Sequence, residues 1–287
     1  MKSIVTSMNG HEFYECLRSL FPEVEPEPEE IANLLKCIGL MNPGGSFYRE
    51  REKKAYEIAH FSSHVVKAVD GISRKREVTL LDYGCGRSYL SFFVNFILRK
   101  LRREIKFIGV DSNPKLAETS LRIRDKLEFE NMRFNQSEII KFEPEEKISI
   151  VCALHACDTA TDAAIASGIR LNARYVLVAP CCQRQIVRQA GRVSRNVPAM
   201  KPLMSTKVAK EYVGVALTET LRKLALESFG YQVDMFEFIP TRHTPKNVLL
   251  RAEKKTAWNS EGLEMYRQLR DYFNVRPKID EYLPELS

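Results

Sequence analysis

Two groups of residues in this chain have types and spacings suited to chemistry. The first is Asp82-Tyr83-Gly84-Cys85-Gly86, within "LLDYGCGRSYL", answered by Asp111 in "IGVDSNP". The second joins "LHACDTATD", which holds His155, Cys157, Asp158 and Asp162, to "PCCQ", which holds Cys181 and Cys182. Glycines one residue apart let the backbone turn sharply and come close to a ligand. A helix opening after such a turn presents unpaired amide donors, which suit a carboxylate or a phosphate. An aspartate ending the following strand can accept both hydroxyls of a ribose. Alone, a glycine pair is a tight turn and an aspartate is a cap; the combination points to a nucleoside-like cofactor.

The details select among such cofactors. The spacing is Gly-Cys-Gly-Arg-Ser-Tyr, so the third glycine of the dinucleotide fingerprint is missing. Asp82 precedes the turn, where a carboxylate repels pyrophosphate and favours the cationic end of an amino-acid-like ligand. S-adenosylmethionine, with its amine and sulfonium, has that character. Asp82, Gly84 and Gly86 are then expected at the methionine end, with Cys85 contributing its backbone more than its thiol. Asp111 is expected at the ribose and the "NQS" turn, with Gln136 and Ser137, at the adenine. Ser88, Ser112 and His155 complete the expected cofactor set.

These residues need a scaffold, and the chain supplies one by alternation. Short apolar runs at 78–84, 105–111, 132–136, 148–156 and 173–180 read as strands, with helical stretches at 88–101, from 114, and at 207–229 between or after them. Strands separated by helices form a parallel sheet covered on both faces. Two further strands, 231–239 and 246–253, are close enough to pair as an antiparallel hairpin. Ahead lie a helix at 28–39, opened by Pro28 after the acidic linker "PEVEPEPEE", and a charged helix at 46–69 that can bury Tyr56, Ala59, Phe61, Val65 and Val69. A last helix starts at Ser260. The expected fold is α/β: a Rossmann-like seven-stranded sheet, mostly parallel with strand 7 antiparallel, flanked by an N-terminal helical lead-in and a C-terminal helix. The expected division is 1–45, 46–255 and 256–287.

Over about residues 50–255 the chain resembles class I S-adenosylmethionine-dependent methyltransferases. It is most similar to the branch carrying "DYGCGRSYLS", "LHACDTATD", "PCCQ" and "HTPKN", and more distantly to tRNA 2'-O-methyltransferases and eukaryotic methyltransferase-like proteins. The resemblance implies the methyltransferase sheet order, in which strand 4 lies beside strand 1 and strand 5, so that His155, Cys157, Asp158, Cys181 and Cys182 meet the Gly84 loop. Methyl transfer is an in-line displacement that depends on positioning. His155, Asp158 or Asp162 could act as a base, and Cys181 or Cys182 as a covalent nucleophile. The catalytic candidates are His155, Asp158, Cys181 and Cys182. The same residues have plainer readings: cysteines as small buried hydrophobes, and Asp158 and Asp162 as caps of the next helix. Zinc is a further alternative, but adjacent cysteines are not the usual spacing, and no metal is expected. The Asn/Asp-Pro-Pro-Tyr/Phe motif of exocyclic-amine methyltransferases is absent after strand 4, which speaks against adenine or cytosine amines.

The 287 residues carry a formal net charge of +7 and a pI near 9.0. A basic balance favours a polyanionic partner, and RNA is the expected substrate. Arg184 and Arg188, in the basic segment after strand 5, and His243 and Lys246, in the hairpin connection, are its candidate contacts. His60 and Phe61 either cover the cofactor or belong to the core. The alternatives are a protein or small-molecule methyltransferase, or a catalytically silent binding module. Seven cysteines and no export signal imply free thiols in a cytoplasmic protein. No run approaches the roughly 18–20 apolar residues of a membrane span, so no membrane partner is expected. The sequence carries no sign of the oligomeric state.

Overall fold

A computed structural model of the chain describes residues 8–25, 27–49 and 51–287. The "MKSIVTS" start lies outside the described residues. Seven strands form one sheet: β1 (Thr79–Tyr83), β2 (Lys106–Asp111), β3 (Met132–Gln136), β4 (Ile150–Leu154), β5 (Tyr175–Ala179), β6 (Tyr231–Glu237) and β7 (Val248–Lys254). Their order is β3-β2-β1-β4-β5-β7-β6. Six strands are parallel and β7 runs against them. The alternation of strands and helices predicts the mostly parallel, Rossmann-like sheet, and the place of β4 between β1 and β5 is the order that the resemblance implies.

By their contacts the residues group into two compact units. The first runs to Glu138 and adds Phe142–Glu146 and Glu237–Asn247. It holds β1 to β3 with α1 (Met8–Leu20), α2 (Pro28–Cys37), α3 (Glu52–Asp70), α4 (Tyr89–Lys100) and α5 (Pro114–Leu127). Pro28 occupies the first turn of α2, where its missing N–H costs nothing, and a Glu27–Glu30 capping box closes that end. Ile31, Leu34 and Leu35 are buried as the spacing predicts. α3 starts six residues later than the expected 46. The Asn42-Pro43-Gly44-Gly45 turn is the reason. Asn42 N–H bonds Ser46 O at 2.9 Å, Gly45 takes a φ of 85°, and Phe47 returns to bridge Met41. Phe47 thereby meets Phe13 of α1, a helix the sequence did not single out, edge-on at 5.3 Å.

The register within this unit sets the geometry of the site. Asp82 pairs with Gly109 and Asp111 with Gln136, so three strand ends finish level. Gly109 has no room for a side chain: a Cβ there would lie 2.6 Å from Phe134 Cδ1 and 3.1 Å from Cys85 Sγ.

The second unit holds Ile139–Lys141, Lys147–Phe236 and Val248–Ser287. It contains β4 to β7 with α6 (Thr159–Arg170), α7 (Arg184–Ala190), the short α8 (Val193–Asn196) and α9 (Lys201–Met204), α10 (Lys207–Ser228), α11 (Ser260–Tyr272) and α12 (Ile279–Tyr282). α10 packs on both α7 and α11. The side chain of Asn259 caps α11, accepting from Gly262 N–H at 3.2 Å. Tyr266 is the buried centre of the α11 face, its hydroxyl bonded to Asp280.

Candidate functional site

The turn after β1 is built from left-handed backbone. Gly84, Gly86 and Ser88 have φ values of 62°, 57° and 56°. Glycine adopts this region without a steric penalty. Ser88 is held there: it is buried, its hydroxyl 3.2 Å from Ser120 Oγ on α5, and α4 opens one residue after it. Ser88 therefore sits inside the packing, with its side chain turned to α5. Cys85 donates its N–H to Val110 O at 3.2 Å and accepts from Ser88 N–H at 2.7 Å. Its backbone, expected at the ligand, is engaged within the turn. Burial, and then Asp82, push the Cys85 thiol well up.

Asp111 links three strand ends. Its Oδ2 accepts from Gly86 N–H and its Oδ1 from Asn113 N–H, both at 2.9 Å. Its carbonyl accepts from Ser137 N–H at 3.1 Å. One residue thus positions the glycine turn, its own loop and the expected adenine turn. Ser112 and Gln136 are exposed beside these bonds, and Ser137 is half-buried. A nucleoside-bearing cofactor fits here on two counts. A Cβ at Gly86 would meet no atom within 4 Å, so open space adjoins the turn. Each Asp111 oxygen keeps a lone pair after its backbone bond.

Asp82 is 2% exposed and accepts one bond, from Ser91 Oγ at 2.7 Å. Burial pushes its carboxyl up to about 7, opposed by Ser91 and reinforced by Asp111. A carboxyl raised in the folded state stabilises the fold on the acid side and loses that contribution as pH climbs through its folded value. Asp82→Asn removes this dependence. The variant should gain on the parent by on the order of 1–3 kcal/mol between about pH 5 and about pH 8.5. Urea midpoints at both pH values measure the difference; equal gaps would exclude a buried ionisation.

The second group has its own strain. β4 ends at Leu154, two residues short of the expected strand, because His155 turns left-handed at φ 67°. Asp158 follows at φ 54°, ψ −117°. Such values in residues with a Cβ persist only where surrounding bonds enforce them. Here His155 N–H bonds Ala179 O at 3.1 Å, Asp158 N–H bonds Cys182 O at 3.2 Å, and Thr161 Oγ1 bonds Ala156 O at 2.5 Å. The Sγ atoms of Cys157, Cys181 and Cys182 all lie within 4.8 Å of one another. Cys181 Sγ is 3.8 Å from His155 O. Burial, and then Cys157, push the Cys181 thiol up to about 12 and raise Cys182 too. Both are protonated at neutral pH, a poor state for a covalent nucleophile.

Asp158 is a cap, though not of its own helix: its Oδ1 accepts from Gln185 N–H of α7 at 3.1 Å. Asp162 caps nothing. It is buried and accepts from Arg222 Nε of α10 at 2.7 Å. Arg222 also donates to Glu219 Oε1 at 3.1 Å and to Asp158 O at 2.6 Å, while Gln183 Nε2 donates to Glu219 at 2.7 Å. Arg222, Glu219 and Gln183 were missed in the sequence, yet they hold both cysteine loops.

The candidate substrate contacts divide. Arg184 and Arg188 are exposed on α7. His243 stacks on Tyr56 of α3 at 4.5 Å, with Arg242 Nε donating to its Nε2 at 3.2 Å. Burial, and then Arg242, lower its pKa. A neutral imidazole does not attract phosphate by charge; Lys246, exposed beside it, can. Asn247 closes this loop, its side chain donating to Ile239 O at 3.0 Å. Phe61 is core, edge-on to Phe238, and His60 lies 3.7 Å from Cys16 Sγ. All seven cysteines are free thiols. No described helix is long and apolar enough to cross a membrane.

The model of a methyltransferase-domain family matches residues 53–189. Both candidate groups fall inside that stretch, which runs from α3 through most of α7; His243 and Lys246 lie beyond it. No curated protein sequence matches the chain. Among solved structures, the CMeT domain of citrinin polyketide synthase is 15% identical at a TM-score of 0.47, over 88% of this chain and 65% of that one. Magnesium protoporphyrin IX methyltransferase from Synechocystis PCC 6803 is 14% identical at 0.43, over 88% of this chain and 96% of that one. An rRNA methylase from Streptococcus thermophilus is 12% identical at 0.43, over 69% and 96%. At such identities and scores these likenesses identify neither substrate nor cofactor.

Proposed function

We propose that the chain is an S-adenosylmethionine-dependent methyltransferase acting on RNA. The observation that carries the reading is the Asp111 carboxylate drawn onto Gly86 N–H across a left-handed Gly-Cys-Gly turn, with open space beside Gly86. The cofactor would supply an electrophilic methyl group on a sulfonium. Asp111 accepts the ribose hydroxyls, Ser112 flanks them, and Gln136 and Ser137 meet the adenine. The glycine turn admits the methionine end. Asp82, buried and bonded by Ser91 Oγ, holds the β1 end from which the turn departs. His155 and Asp158 serve the acceptor by accepting or guiding its proton.

RNA is favoured by a feature of the second unit. From Arg184 to Lys210 there are seven basic residues and no acidic one, equal to the whole formal excess of +7. Six of the seven are exposed and Lys210 is half-exposed. Among the described residues none of them forms an ion pair. Tyr212, 75% exposed at the end of this segment, offers a ring for stacking on an unpaired base. Incubation with methyl-labelled cofactor and total cellular RNA or protein tests the proposal. Label should enter RNA. Label in protein alone would overturn the substrate, and a folded chain that binds no cofactor would overturn the activity.

A further inference from the structure

We propose that Cys157, Cys181 and Cys182 together bind one zinc ion through three thiolates, leaving a fourth position open. The adjacent Cys181-Cys182 pair speaks against zinc when only spacing is available. The fold supplies the distances: with the thiol of the other loop, Cys157, all three sulfurs lie inside 4.8 Å. Sulfurs around tetrahedral zinc at about 2.3 Å stand roughly 3.8 Å apart, so side-chain rotation closes the site.

Three observations separate this from chance proximity. Cys157 is exposed, unlike the fully buried Cys152 on β4, so it is not a small core hydrophobe. It lies between His155 and Asp158, both at positive φ, on a loop whose backbone hydrogen bonds hold it in place. The two loops are tied independently of the thiols, by Asp158 N–H to Cys182 O, Gln185 N–H to Asp158 Oδ1 and Arg222 to Asp158 O. The sulfurs are held together before any ligand arrives.

The donor set is all thiolate, which selects a soft or borderline ion over magnesium or calcium. Each thiol gives its proton to solvent as its Zn–S bond forms, so binding releases up to three protons and strengthens with rising pH. Cys181 and Cys182 then hold the metal and do not attack substrate. This site stands apart from the methyl-transfer reading, since the chain alone suffices to test it.

Cobalt(II) titration of the reduced, metal-free chain is the experiment. One equivalent should give the visible bands of a four-coordinate ion and a thiolate charge-transfer band, and zinc should bleach both. Cys157→Ser, an exposed change compatible with folding, should weaken binding by more than the roughly 10–100-fold that changes outside the ligands cost. Cys182→Ser should do the same, and Cys37→Ser should change nothing. Absence of the charge-transfer band, or a spectrum unaltered in Cys157→Ser, would overturn the site. Recovery of Cys157 in a disulfide with Cys181 or Cys182 from anaerobically purified protein would also overturn it.

Discussion

Replacing Arg222 by Met lowers folding stability by about 3–5 kcal/mol, the loss expected when one partner of a buried ion cluster is removed. Arg222 is 2% exposed and holds two carboxylates, Asp162 and Glu219, which are themselves buried. Burial opposes its charge, but Asp162 and Glu219 outweigh that and raise its pKa. Glu219 is already the strained member: its Oε2 is buried without a hydrogen-bond partner, and burial raises its pKa despite Arg222 and Gln183. Without the guanidinium the Glu219 carboxyl rises further. Groups raised in the folded state favour folding on the acid side, so the deficit should shrink from about pH 8 to about pH 5. Adding Asp162→Asn and Glu219→Gln to Arg222→Met should restore most of the loss, because the uncompensated charges then disappear. Arg222→Lys should recover little, since an ammonium cannot reach Asp162, Glu219 and Asp158 O together. Guanidinium denaturation of the parent and the three variants measures this; a loss in Arg222→Met below about 1 kcal/mol would mean the cluster is dispensable.

This cluster also shows where the sequence stops being readable. The α10 segment reads as a helix with Val213, Leu217, Leu221 and Leu224 inward, and the last three are buried. Arg222 and Glu219 lie round the helix from that stripe, where charged residues three apart resemble a solvent-facing pair. Their buried partner, Asp162, comes from α6, 60 residues away. No local pattern announces a pairing of that range. Geometry set by backbone type was legible: strand, Gly-Cys-Gly turn, helix and strand-ending Asp111 follow from residue preferences within a short window. His155 and Asp158 were legible as residues, but their left-handed backbone was not, since nothing local asks a histidine to adopt φ 67°. The thiol cluster combines both cases. "PCCQ" is visible in the sequence and the resemblance brings Cys157 to it; the fold does so through the level ending of β4 and β5, where Leu154 pairs with Ala179.

Replacing Asp111 by Ala weakens cofactor binding by about 1–3 kcal/mol, roughly 5- to 150-fold in Kd. The carboxylate has two tasks to lose: charged hydrogen bonds to ribose hydroxyls, and the bonds that draw Gly86 N–H and Asn113 N–H to 2.9 Å. Asp111→Asn separates them in part. Its amide oxygen can keep one backbone donor, while its NH2 would face the other N–H, so an intermediate loss is expected. Calorimetry with S-adenosylhomocysteine gives Kd without turnover, and a denaturation midpoint on the same samples reports the turn. An analogue lacking the ribose hydroxyls completes the cycle. If Asp111 holds the ribose, that analogue binds the parent less tightly but loses nothing more in Asp111→Ala. If the carboxylate only shapes the turn, the losses from analogue and variant add in full. An unchanged Kd in Asp111→Ala would remove Asp111 from the cofactor site, and with it the observation on which methyl transfer rests.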